Sequence, residues 1–261
     1  MSRTRTAIVG MLSTAALLFS VVPSRSTFII AVVTETDIVL GADSRVVTVE
    51  MTHPGEMCKI VSGPNNVFVA FSGFMRATKR NFVMADVVRH AISNGTTIET
   101  GIAALNDVLV PKVAQIVNDL RINDRPYFHD HVDGKVVTEI VFVGFENSVS
   151  HLDVMDYRVR AKQVPISIEI TRKDCPQTGC VGNNGAMLGH HEGVAGLLAA
   201  DPNIWIKPGL ANTVRTVIEA EAAAEPRIVG GPVAVLEITK DGGPNWISNG
   251  ACAATAKLKG Q

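Results

Sequence analysis

The sequence predicts an α+β fold in which two antiparallel sheets are flanked by helices, a four-layer αββα sandwich. Three observations point there. The chain has 261 residues, 46% hydrophobic and 19% charged, enough to bury a sizeable core and too apolar to be disordered. Its apolar pattern runs strands, two helices, strands, two helices, strands, and such grouped runs favour antiparallel sheets covered by helices over alternating βαβ units. The period also changes abruptly near Arg76, from strand-like runs to helical spacing.

Taken in order, the first 26 residues differ from the rest. Arg3 and Arg5 give a basic start, Ala7 to Val22 is apolar, and Pro23 breaks the run. Ser24 and Ser26 are small residues at −3 and −1 before Thr27, the layout of an export signal removed before Thr27. An uncleaved anchor is the alternative, but the run is shorter than the roughly 20 residues a spanning helix needs. No later stretch reads as a membrane span. The expectation is a leader over 1–26, one domain over 27–250, a small tail over 251–261, and an exported, periplasmic or secreted product.

Phe28 to Val33 is an apolar run rich in β-branched residues, hence a strand. Thr34 to Asp37 reads as a turn, and Ile38 to Ala42 as the strand that completes a hairpin. Met57 to Val61 and Val67 to Phe71 follow as strands around the turn signal Gly63-Pro-Asn-Asn66. Arg76 to Ile92 reads as a helix, and Ile98 to Leu120 as a second one that Pro111 should kink or split. Arg121 to Lys135 is polar and reads as a surface loop. Val136 to Phe145 and Val149 to Met155 form a hairpin, with a further strand at Gln163 to Ile170. Gly185 to Ala200 reads as a third helix and Pro208 to Ala224 as a fourth. Pro232 to Ile238 and Asn245 to Ser248 close the pattern.

The net charge of −1 gives no reason to expect nucleic acid or an anionic membrane as partner. Of four cysteines, Cys175 and Cys180 flank a tight turn where a disulfide is easy, which would leave Cys58 with Cys252. Four free thiols are the other reading. His129, His131 and Asp133 alternate with other residues and should point apart, and His190-His191-Glu192 reads as a solvated helix face. Neither implies a metal, and no cofactor is implied. Trp205 and Trp246 read as packing.

Thr27 carries the chemical interest. Once the leader is cut, its Oγ can attack a carbonyl while its own α-amine takes the proton. A free α-amine has a pKa of about 7.7–8.0, suited to a general base near neutrality. Inside a chain the same nitrogen is an amide and cannot act so. Such a site also needs a cation to lower the basicity of the amine and hydroxyl, a carboxylate to hold that cation, and an N–H for the oxyanion. Read alone, Thr27 is simply the first residue of an edge strand.

The segment TFIIAVVTETDIVLGADSR, with Cys58-Lys59-Ile60 and Ala70-Phe-Ser-Gly73, resembles the proteasome β-type peptidases of the N-terminal-nucleophile (Ntn) hydrolase superfamily. Asp43, Arg45, Lys59 and Gly73 follow Thr27 by 16, 18, 32 and 46 residues, the family's register without a gap. The resemblance implies Thr27 as nucleophile and base and Lys59 beside it. It implies Asp43 holding Lys59, Arg45 bracing the Asp43 loop, and the Gly73 N–H at the oxyanion. It also implies the four-layer fold. The match is sharp only to Gly73. The family's Ser that contacts the nucleophile falls at Asn183, and the family's later Asp falls at Pro226, with Glu225 one residue off. The expected activity is that of a threonine peptidase cutting peptide bonds, or of an amidase acting on a smaller amide. The competing expectation is a non-catalytic, proteasome-like ring or scaffold protein. A homo-oligomer is compatible with either.

Overall fold

A computed structural model describes residues 27–46, 55–77, 80–93, 95–161, 165–175, 185–201, 203–206 and 209–252. The predicted leader, Asn183, Cys180 and Pro208 lie outside the described residues. The chain is mixed α+β, built on antiparallel sheets.

The first hairpin forms as its sequence demands. β1 (Phe28–Val33) and β2 (Asp37–Ala42) pair antiparallel around a turn in which the Thr34 Oγ1 accepts from the Asp37 N–H at 2.8 Å. β1 is buried at every position, which explains an unbroken apolar run where a half-exposed strand would alternate. Ile29, Ala31 and Val33 face one apolar cluster, and Phe28, Ile30 and Val32 face another.

β3 (Arg45–Val46) pairs with β4 (Gly55–Glu56), and β5 (Ile60–Ser62) with β6 (Phe68–Gly73). Between the last two, Asn65 and Asn66 sit in the left-handed region that asparagine tolerates. The expected helix from Arg76 starts late. β7 (Arg76–Ala77) pairs with β8 (Phe82–Val83), and only then does α1 (Met84–Ile92) begin. Helical spacing and a short hairpin both place Phe82 and Val83 next to apolar neighbours, so periodicity alone misplaces the boundary.

α2 (Ile98–Asn123) is capped by Thr97 and Thr100, each side chain bonding the other's backbone N–H. It runs through Pro111 as one element, so the expected split does not occur. Pro111 and Asp107 lie on the exposed face, where the carbonyl that loses its partner meets water. By length and hydropathy α2 could cross a membrane, contrary to expectation, yet Ile102, Leu105, Leu109, Val113 and Val117 are packed in the core. The predicted loop after it contains α3 (Arg125–His131), started by the Asp124 side chain on the Tyr127 N–H and anchored by buried Tyr127 and Phe128.

β9 (Val136–Glu146) and β10 (Val149–Arg160) form a long hairpin whose turn residues Asn147 and Ser148 both have positive φ, as a two-residue turn between twisted strands requires. β11 (Ser167–Cys175) borders β10. The predicted third helix is wrong over its first part. Gly185–Gly189 is β12, paired with β1, and only Ala195–Ala200 is helical, as α4. Pairing with β1 decides the conformation of a short apolar stretch with little preference of its own. α5 (Leu210–Ala224), β13 (Ala234–Thr239) and β14 (Gly243–Asn249) complete the order.

One sheet runs β12-β1-β2-β13-β14 and the other β11-β10-β9-β6-β5. A single apolar cluster holds residues of both, including Ile29 and Leu40 from the first and Ala70 and Val141 from the second. α1 and α2 pack on the second sheet, and α5 on the first.

A disulfide joins Cys58 to Cys252, 194 residues apart, and Cys175 is also disulfide-bonded. Cys252 is buried between the sheets, so residue 252 is not peripheral tail as expected. Closing so long a loop constrains the unfolded chain strongly. Cys252→Ser should lower stability by about 2–5 kcal/mol, read as a shift in denaturant midpoint. An unchanged midpoint would show that the bond carries no stability.

Candidate active site

Thr27 immediately precedes β1 and is fully buried. The peptide joining it to Phe28 is held at both ends. Its N–H donates to the Asp43 Oδ1 at 2.9 Å, and its carbonyl accepts from the His190 N–H at 2.7 Å. The hairpin explains the first bond: β2 runs antiparallel to β1, so Asp43, just past its end, returns to the start of β1.

Asp43 is 1% exposed and takes four donors. Oδ1 accepts from Phe28 N and from Lys59 Nζ at 2.8 Å. Oδ2 accepts from Arg45 N at 3.2 Å and Gly230 N at 3.1 Å. Phe28 N and Lys59 Nζ thus share one oxygen, which brings the ammonium beside the Thr27–Phe28 peptide. The side chains of Lys59 and Asp43 are wholly buried. Burial pushes the Lys59 ammonium below the ordinary lysine value, more strongly than the Asp43 carboxylate draws it up, and the Arg45 charge adds to the lowering. A lysine moved in that direction gives up its proton more readily than an ordinary one.

Arg45 braces this corner. Its N–H donates to the Gly230 carbonyl at 2.9 Å, and its guanidinium lies against Gly230 and donates to the Pro226 carbonyl. Pro226, the position where the resemblance calls for an Asp, meets Arg45 through its backbone oxygen.

The second sheet reaches the same place through β6. The Lys59 carbonyl accepts from Phe71 N at 3.3 Å, and Ser72 and Gly73 end the strand. Gly73 has φ +96, and a Cβ there would fall 2.1 Å from the Val137 carbonyl oxygen, so no other residue fits. Gly189 is as constrained. Its φ is +81, and a Cβ would stand 1.9 Å from the Thr27 carbonyl oxygen and 3.6 Å from the Ser72 Cβ. The end of β6 and the end of β12 therefore meet at Thr27. The Glu139 Oε2 ties them, accepting from Ser72 Oγ at 3.1 Å and Gly189 N at 2.9 Å.

Thr27, Asp43, Lys59, Arg45 and the strand carrying Gly73 thus converge on one corner of the fold. Comparison with protein-family models and with curated proteins found no match. Among the described residues no cluster of three or more His, Cys, Asp or Glu is arranged to hold a metal ion.

Asn183, the residue expected against Thr27, lies outside the described residues. A described residue that meets Thr27 is His190, and the expectation of a solvated helix face there is incorrect. His190 follows β12 rather than sitting in a helix, and its Nδ1 lies 2.9 Å from the Oε1 of buried Glu221. His191 stacks on Phe28 with ring centroids 6.2 Å apart.

Sequence reasoning missed Glu139, Gly189, His190 and Glu221. Two carried a signal. Glu139 alternates with Val141 and Val143 on the face turned to the other sheet, and Glu221 continues the buried stripe of Val214, Val217 and Ile218 on α5. A carboxylate where the period calls for an apolar residue needs a partner.

Proposed function

We propose that the chain is an exported N-terminal-threonine hydrolase of the proteasome-like Ntn type. In this reading the two sheets and their helices form an αββα sandwich, and leader removal before Thr27 creates the catalyst. The observation that carries it is the shared Asp43 oxygen, which sets a buried, pKa-lowered lysine beside the peptide of Thr27. A structural ion pair has no need of that address. A buried pair between desolvated partners is also weak as a stabilising device, which favours a chemical role.

The reaction balances as follows. The Thr27 Oγ attacks the carbonyl carbon of a peptide or smaller amide, and the freed α-amine takes the hydroxyl proton. Lys59 stabilises the developing charge on Oγ, and the Gly73 N–H receives the oxyanion. The C–N bond breaks as the ammonium returns its proton to the leaving nitrogen, leaving an ester on Thr27. Water then attacks that ester, the amine takes the water's proton, and the acid departs with Oγ reprotonated.

A β-lactone tests the reading on the mature, exported protein, because its ring opens onto a threonine Oγ to leave a stable ester. Mass spectrometry should find the mature N-terminus at Thr27 and one adduct on that residue. A different N-terminus, or Thr27 exposed but unlabelled, would favour the scaffold reading.

A further inference from the structure

An N-terminal nucleophile has lost the chain before it, so a single peptide fixes its orientation. Here that is the Thr27–Phe28 peptide, gripped by Asp43 at its N–H and by the His190 N–H at its carbonyl. The first grip belongs to the lysine pair. The second has its own support, which the reaction above does not use.

Glu221 lies on α5 with its side chain fully buried. Its Oε1 sits 2.9 Å from His190 Nδ1 and accepts from Gly193 N at 3.3 Å, while Oε2 accepts from Val194 N at 2.8 Å. One carboxylate therefore organises the whole turn from His190 to Val194, whose first amide holds Thr27. Gly193 permits the approach, since a Cβ there would stand 3.0 Å from the Glu221 Oε2. His190 is held on one side by Glu221 and approached on the other by exposed Glu192, 3.4 Å from its Nε2. A Leu at residue 221 would continue the apolar stripe and bury more easily; it could not hold this turn.

We propose that Glu221 and His190 are positioning residues for the nucleophile. Through the His190 N–H they set the plane of the Thr27–Phe28 peptide, and with it the direction in which Oγ and the α-amine point. The inference rests on the hydrolase reading. It predicts an effect on the rate of acylation rather than on binding, because misaiming a nucleophile slows attack without removing substrate contacts.

The experiment uses the mature protein with a β-lactone of fixed structure, and separates the maximal acylation rate from the half-saturating concentration. Glu221→Gln places an NH2 among donors that need an acceptor, and His190→Ala removes the ring while leaving the Glu221 bonds to Gly193 and Val194. Both should slow maximal acylation by about 10–100-fold with half-saturation changed less than about twofold. The double variant should be no slower than the worse single one, because the two act on one turn. Should Glu221→Gln fail to fold, His190→Ala decides, its side chain being peripheral to the apolar clusters. Maximal rates within about twofold of the parent in every folded variant would overturn the proposal and leave Glu221 as an anchor of the turn. A parent that is itself unlabelled would overturn the hydrolase reading together with this one; a labelled parent with equally fast variants overturns this one alone.

Discussion

Thr27→Ala should reduce hydrolysis to background while the mature protein folds as before. The variant keeps the α-amine and the two backbone bonds that hold its peptide, because Phe28 N to Asp43 and His190 N to the residue 27 carbonyl are main-chain donors, on β1 and just after β12, which remain paired. Only Oγ and one methyl are lost. Deleting so small a group from a buried site costs about 1–2 kcal/mol, well inside ordinary stability. The chemistry, in contrast, loses the oxygen that attacks the carbonyl. Thr27→Ser separates the two contributions of the side chain. It retains Oγ and amine but frees χ1, so it should stay active at a rate lowered by about tenfold. Release of amine from peptide and small-amide panels, with thermal unfolding as the folding control, measures both. Turnover by Thr27→Ala equal to the parent would remove Thr27 from the mechanism.

Much of this corner was legible because it is local. Thr27 and Asp43 flank one hairpin, Arg45 opens β3 and Lys59 immediately precedes β5, so the register that the resemblance supplies falls on neighbouring elements. The long β9–β10 hairpin was legible for the same reason, its apolar strands closing on the two-residue turn Asn147-Ser148. β12 was not. Ala-Met-Leu between glycines has no period long enough to separate strand from helix, and its conformation is set by β1, from the other end of the chain. Read as helix, this stretch sends the His190 turn to solvent, whereas the strand brings the His190 N–H to the Thr27 carbonyl. α3 was hidden by composition: Arg, His and Asp suggested a loop, while the cap at Asp124 and Pro126 behind it were the informative residues. Cys58 and Cys252 were paired by arithmetic alone, and the structure adds what arithmetic lacked. The bond ties the residue before Lys59 to a cysteine packed between the sheets.

Lys59→Met tests whether the buried ammonium acts chemically or only fills a place in the fold. Methionine matches the stem in length and leaves Asp43 as a buried carboxylate with Phe28 N, Arg45 N and Gly230 N as donors. Breaking a buried pair from one side costs about 3–5 kcal/mol, and the three amides that remain place the expected loss at the lower end, about 3 kcal/mol. A denaturation midpoint reads that loss. Acylation of Thr27 should fall by about 10²–10⁴-fold, the range for removing a group that moves or steadies a proton. Lys59→Arg should not restore it, because a guanidinium stays charged and does not fit the space of a single ammonium. The double variant Asp43→Asn with Lys59→Met then separates fold from function. With no unpaired charge left it should recover part of the stability lost by Lys59→Met. It should recover none of the acylation, since the neutral pair can neither lower the basicity of the amine nor steady charge on Oγ. If stability and acylation instead return together, the pair serves the fold alone, and Thr27 reacts without help from the ammonium.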